Sequence, residues 1–168
     1  VRGDANTVAD QLMAAIPSRP KRTLSFCFLD PYNLDIHFET VRKLATGRAI
    51  DFLILLALYV DANRNLSTYV TEESLTIDLL LGDSRWRDAW RVAEAAREPF
   101  VPFLAGEYAA RMQTLGYLAV GLADMVKIQT HEKCLPLYFL AFFSRDKTGL
   151  RLWKQVLKYA NDQLPLGL

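Results

Sequence analysis

Cysteine and histidine are scarce: Cys27, Cys134, His37 and His131 are all there are in 168 residues. The cysteines lie far apart, each in a strand-like apolar run, where free cysteine behaves as a small hydrophobe. Without CxxC spacing they make neither a zinc site nor a disulfide framework. The histidines stand at no ligand spacing from another donor, so no metal is expected. An excess of one charge is also missing. Twenty Lys and Arg against 19 Asp and Glu leave a net charge of +1, which argues neither for nor against a nucleic-acid partner. The longest apolar runs, Phe52 to Val60 and Leu135 to Phe143, fall well short of the ~20 residues that span a bilayer. No basic-apolar-small leader opens the chain, so no membrane partner and a cytoplasmic location are expected. Of the eight glycines, no group forms GxGxG after a strand. Ser25 and Ser144 have no histidine-acid arrangement nearby, which leaves nucleophilic hydrolysis without support.

What is present is apolar residue in quantity. At 51% hydrophobic, 168 residues can bury one full core, and residues 1–168 are expected to form one domain. The organising stretch is Thr23 to Asn33. Strand-forming residues run from Leu24 to Leu29 and stop at Asp30-Pro31, because proline has no N–H for a central ladder. The continuous apolarity predicts burial on both faces, as in a parallel sheet covered by helices.

Val1-Arg2-Gly3-Asp4-Ala5-Asn6 reads as the tail of a strand running into a turn, which predicts further sequence upstream. A helix follows over Thr7 to Ile16, stopped by Pro17 and Pro20. After the strand comes a second helix, His37 to Thr46, closed by Gly47, and then a buried strand, Ala49 to Leu58, with Asp51 its one intrusion. Strand, helix, strand, helix, strand predicts a doubly wound sheet. Residues 61–116 break that order. Asn63 to Val70 is read as helical, Leu75 to Leu81 as helix or strand, and Arg85 to Arg97 and Leu104 to Leu115 as helices around a joint at Pro99 and Pro102. So long a segment between strands is a helical insertion, expected to pack over the carboxyl edge of the sheet. A weaker strand at Asp124 to Gln129, a polar turn at Thr130 to Lys133 and a strong strand at Leu135 to Phe143 predict an antiparallel hairpin. A helix over Asp146 to Tyr159 ends the pattern, and Leu164-Pro165-Leu166 trails off.

Ligands bind open α/β sheets at the carboxyl ends of strands, which makes Asp30, Tyr32 and Asn33 the first candidates for a site. The plainer alternative is that Asp30 only caps a turn. Asn63-Arg64 follows the next strand at the same edge, where an arginine could hold phosphate bidentately or pair with Glu72 or Glu73 on the surface. Asp4 and Asn6 could cap the first helix. Arg85, Arg87, Arg91 and Arg97 alternate with Asp88, Glu94 and Glu98 as on a solvated helix. Trp86, Trp90 and Trp153 sit at amphipathic positions and read as core.

The blocks Phe28-Leu29-Asp30-Pro31-Tyr32, Glu39-Thr40-Val41, Thr46-Gly47-Arg48-Ala49-Ile50-Asp51 and Asn63-Arg64 resemble the signature of the three-Cys-motif partner proteins. Gly82-Asp83 with Trp86, Arg111 to Tyr117, Pro136 to Leu140 with Phe143-Ser144, and Gly149-Leu150 extend the resemblance over nearly the whole chain in the family's order. It implies a Rossmann-like sheet of the class I S-adenosylmethionine-dependent methyltransferase type, mostly parallel with a C-terminal antiparallel hairpin. It also implies a partner bearing a three-cysteine motif, and a first strand and glycine-rich turn preceding Gly3-Asp4-Ala5-Asn6. As it stands the chain would hold half a cofactor cleft.

In such a protein Asp4 would bond the adenine amino group of S-adenosylmethionine, assisted by Asn6. Asp30, Pro31 and Tyr32 would take the place of the Asp-Pro-Pro-Tyr motif of amino-directed DNA methyltransferases. There the acid and the proline carbonyl orient the target nitrogen and the ring stacks on a flipped base. This chain has one proline rather than two, and Asn33 where the family has glycine; asparagine tolerates a left-handed backbone. Two functions follow as expectations. One is a methyltransferase-like protein acting on nucleic acid in a phage, mobile-element or defence setting; the other is a non-catalytic partner that docks through the insertion.

Overall fold

Ile50, Phe52, Ile54 and Leu56 are buried and the residues between them half-buried, the period-two signature of a central strand. The computed structural model describes residues 1–16, 24–130 and 133–163, with only the backbone described over 159–163. The expected stops at Pro17 and Pro20, His131 and Glu132 of the expected turn, and Leu164 to Leu166 lie outside those residues. That central strand is β2 (Ile50–Leu56). It pairs in parallel with β1 (Ser25–Leu29) and antiparallel with β4 (Pro136–Phe143), which pairs antiparallel with β3 (Val126–Gln129).

The described sheet therefore has four strands in the order β1-β2-β4-β3. It is α/β and ends in the expected hairpin. It is not mostly parallel: one pair of neighbours is parallel and two are antiparallel. Val1 and Arg2 join no strand, so the side of β1 away from β2 has no strand on it among the described residues. β1 is also not buried on both faces. Phe26 and Phe28 are 61% and 51% exposed, because they lie at a sheet edge over which no described element packs.

One face of the sheet carries the core. Phe52 opposite Phe143, Ile54 opposite Ala141 and Leu56 opposite Phe139 form its floor. It is covered by α2 (Phe38–Ala45), α4 (Thr76–Leu81), α5 (Trp86–Ala95) and α6 (Phe100–Thr114). Tyr108 of α6 meets Phe38 edge-on at 6.1 Å and tilts onto Phe143 at 6.1 Å. The segment read as an insertion over the carboxyl edge is thus a layer of the core, with Trp86 and Tyr108 fully buried. Leu75 to Leu81 resolves as helix, ended by Gly82 at φ 81°, where a left-handed residue releases the chain. Pro99 sits at the expected joint between α5 and α6, as the residue before α6, which begins at Phe100 rather than Leu104. Pro102 falls in the first turn, where no N–H is needed.

The amino end of β2 is closed by one arginine. Arg145, just after β4, donates to the carbonyls of Leu115, Arg48 and Ala45 at 2.8 to 3.1 Å, and its guanidinium lies over the Tyr117 ring. Tyr117 in turn donates to the Ile50 carbonyl at 2.8 Å. Burial pushes the Asp51 carboxyl up from its ordinary range, opposed by a hydrogen bond from Ser144. On the opposite face α7 (Lys147–Gln163) packs Trp153 on Phe142 with ring centroids 5.4 Å apart. α1 (Ala5–Ala15) lies against α2.

Candidate functional site

Because β1 and β2 are parallel in register from Ser25 opposite Ile50 to Leu29 opposite Ile54, the loops that leave them start on the same rim. The first is Asp30 to His37. The second opens with a π-helical turn over Leu58–Ala62, in which the Asn63 N–H reaches back to the Leu58 carbonyl at 2.9 Å. Such wide turns recur at functional sites.

Asp61 joins the two loops. Its side chain is 6% exposed. One carboxyl oxygen accepts the Leu34 N–H at 3.0 Å, and the other accepts Asn65 Nδ2 at 2.8 Å and the Tyr69 hydroxyl at 2.6 Å. Asn65 precedes and Tyr69 ends the short helix α3 (Leu66–Tyr69). Burial first, and then the bond to Asp61, push the Tyr69 hydroxyl up to about 12. Sequence reasoning missed this group. The available signal was spacing alone, an acid with polar residues four and eight positions on, all on one helical face.

Asn6 fastens the rim from the other side. Its Nδ2 donates to the Asp35 carbonyl at 2.8 Å, and its Oδ1 accepts from the His37 N–H at 3.0 Å and the Thr40 hydroxyl at 2.8 Å. Asp4 caps α1, one oxygen accepting the Asn6 N–H at 2.7 Å. Its other oxygen faces no described donor and the residue is exposed. Asp4, Asn6, the Asp30 loop and the Asp61 turn are thereby gathered on one edge.

Within that edge Asp30 is exposed, Pro31 and Asn33 are half-buried, and the Tyr32 ring is 87% exposed. Neither Asp30 nor Tyr32 spends its side-chain polar group on a described residue. Asn33 does not take the left-handed backbone: among described non-glycine residues only Arg97 and Cys134 have positive φ. Asn63 and Arg64 are exposed on the neighbouring turn, and Arg64 pairs with neither Glu72 nor Glu73. The rim thus offers a hydrogen-bond acceptor, an aromatic face and a guanidinium to solvent, on a base fixed by the hydrogen bonds of Asn6 and Asp61.

The other candidates are structural. Trp86 and Trp90 are core residues, as expected. Trp86 donates to Asp78, which also pairs with Arg87. Arg91 pairs with Asp88 on the solvent side. Cys27 is half-buried on β1, its thiol pushed up by burial. Cys134 is not in a strand. It is exposed in the loop before β4 with φ 49°. No cluster of three or more His, Cys, Asp or Glu that could hold a metal occurs among the described residues, and no described helix is long and apolar enough to cross a membrane. Comparison with protein-family models, curated proteins and solved structures finds no match to this chain.

Proposed function

We propose that this chain is a S-adenosylmethionine-dependent methyltransferase-like protein of the three-Cys-motif partner type, acting on an exocyclic amino group of nucleic acid in a phage, mobile-element or defence setting within the cytoplasm. The observation that carries the reading is the pair of bonds from Asn6 to Asp35 and from Leu34 to Asp61, which draw three separate sequence blocks to one open rim. The strand order lends support, since β4 runs antiparallel between β2 and β3 in the manner of the hairpin that ends a methyltransferase sheet.

The donor set fits such a cofactor in part. The free oxygen of Asp4 can accept an adenine amino group, whereas the Asn6 oxygen already accepts two bonds, so Asn6 acts by positioning the loop. When bound, the sulfonium supplies an electrophilic methyl group. Tyr32 would stack on an unpaired base. Asp30 would accept a hydrogen bond from the target amine, aligning its lone pair, and could take its proton. Arg64 is placed to hold a backbone phosphate.

The test is isothermal titration of the full-length protein with S-adenosylmethionine, together with transfer of labelled methyl to single-stranded DNA. Saturable binding, with transfer lost in Asp30→Ala while binding persists, is the expected result. No binding heat at all would overturn the reading.

A second reading has its own observation. Between α5 and α6 lies an open hollow of 430 Å³ lined by Ala89, Ala93 and Gly106 beside Val92, which is 72% exposed. There the chain would serve as a non-catalytic scaffold that docks a three-cysteine-motif protein. Unchanged co-purification of that protein with a Val92→Glu variant would remove this reading.

A further inference from the structure

The strand pairing carries the carboxyl rim further than its acids reach. β2 and β3 both run antiparallel to β4, so they point the same way, and Leu56, Phe139 and Lys127 stand level across the three strands. Lys127 is therefore at the height where β2 ends, two strand spacings or ~10 Å to its side. The π-helical turn over Leu58–Ala62 leaves β2 at that height and lays Tyr59 on Phe139, with ring centroids 5.5 Å apart. The Lys127 Nζ stands over the same tyrosine ring, 5.2 Å from its centroid.

An ammonium held over a ring keeps its position without losing its charge, because the ring face attracts it and supplies no counter-ion. Lys127 is exposed, and so is Arg64, which follows the same turn. Among the described residues neither cation pairs with an acid. The exposed acids Asp4, Asp30 and Asp35 stand on the β1 side. The rim is thus divided, with acceptors and the Tyr32 ring beside β1 and two unneutralised cations beside β2 and β3. Acceptors suit the amino edge of a base, and cations suit phosphate.

We propose that Arg64 and Lys127 hold the phosphodiester backbone of a single-stranded nucleic acid that runs from the target base on Tyr32 across the Tyr59 turn toward β3. The inference rests on the reading of the rim as a nucleic-acid methylation site and extends it by a second phosphate contact, on a strand where the sequence marks no candidate. The ~10 Å between the end of β2 and Lys127 matches about three nucleotide steps of ~3.4 Å. The Tyr59 ring sets where the ammonium stands, which makes the contact a fixed one.

The experiment follows the fluorescence anisotropy of a fluorescein-labelled oligothymidylate titrated with the full-length protein over a salt series. Arg64→Met and Lys127→Met are compared with the parent and with Lys154→Met, which removes the same charge from a side chain 70% exposed on α7, across the sheet. Each rim variant is expected to lower the slope of log affinity against log salt by about 0.7, the share of one phosphate on a single strand, and to weaken binding about fivefold at about 0.1 M salt. Lys127→Arg should restore the slope, and Lys154→Met should leave it unchanged. A parent slope retained by Lys127→Met would overturn the second contact while leaving the methyl-transfer reading to its own cofactor titration. A slope lowered equally by Lys154→Met would overturn it too, as would polyglutamate bound as tightly as the oligonucleotide, which would assign the cations to an acidic protein. Failure of a protein that binds S-adenosylmethionine to bind the oligonucleotide would also overturn it.

Discussion

Asp61 holds three hydrogen bonds on one buried carboxyl group, and the bond to Leu34 fixes the loop that presents Asp30 and Tyr32. Asp61→Ala leaves the Leu34 N–H buried without an acceptor. Urea unfolding should register a loss of about 2 to 3 kcal/mol, the cost of stranding such a group together with its companion bonds. Tyr69 adds a pH signature. Its folded value is raised to about 12 from an ordinary 10, so its stabilisation is complete below pH 10 and is lost as pH rises through about 12. Tyr69→Phe should therefore fall less steeply in stability over that alkaline window than the parent, and parallel curves would show that Tyr69 carries no such linkage. Nothing in the local composition around Asp61 marks it as buried. What makes it the keystone of the rim is a bond to Leu34, twenty-seven residues earlier in the chain, and single-sequence periodicity does not carry contacts of that span.

At the scale of elements, α7 leaves β4 through a turn with no spare volume. A Cβ added at Gly149 would stand 2.4 Å from Ser144 Oγ and 3.1 Å from Asp51 Oδ2. Ser144 is fully buried and Asp51 belongs to the central strand, so neither neighbour can move freely. Gly149→Ala should cost about 1 to 3 kcal/mol by overpacking, read from thermal or urea unfolding, in spite of alanine's better helix propensity. Indifference to the change would mean that the turn can open.

Elements with a single strong period were legible: β2 and α2 fall within two residues of where the apolar pattern places them. β1 was legible as a strand and misread in its surroundings, since an apolar run does not reveal whether anything covers it. Leu75 to Leu81 was ambiguous because five apolar residues in a stretch of seven suit either period. The π-helical turn was invisible, because its register is set by how β2 exits toward Asp61 and not by any residue signature.

For the whole molecule, the two rims of the sheet differ in kind. The amino end of β2 is sealed by Arg145, which spends its donors on three backbone carbonyls. The carboxyl end is buttressed from beneath by Asn6 and Asp61 and keeps Asp30, Tyr32 and Arg64 in solvent. The sequence order of strands and helices led to this rim, because acids that follow parallel strands gather on one edge whatever the rest of the sheet does. It did not lead to the direction of the remaining strands, since Val1 and Arg2 contribute none and β4 enters between β2 and β3 in reverse. That the open rim is where the methyl donor and target meet is most directly tested by backbone amide NMR of the full-length protein titrated with S-adenosylmethionine. Saturable shifts concentrated at Asp4 to Asn6 and Asp30 to Asn33, with β3 and β4 unmoved, are predicted; shifts confined to other surfaces, or none, would contradict it.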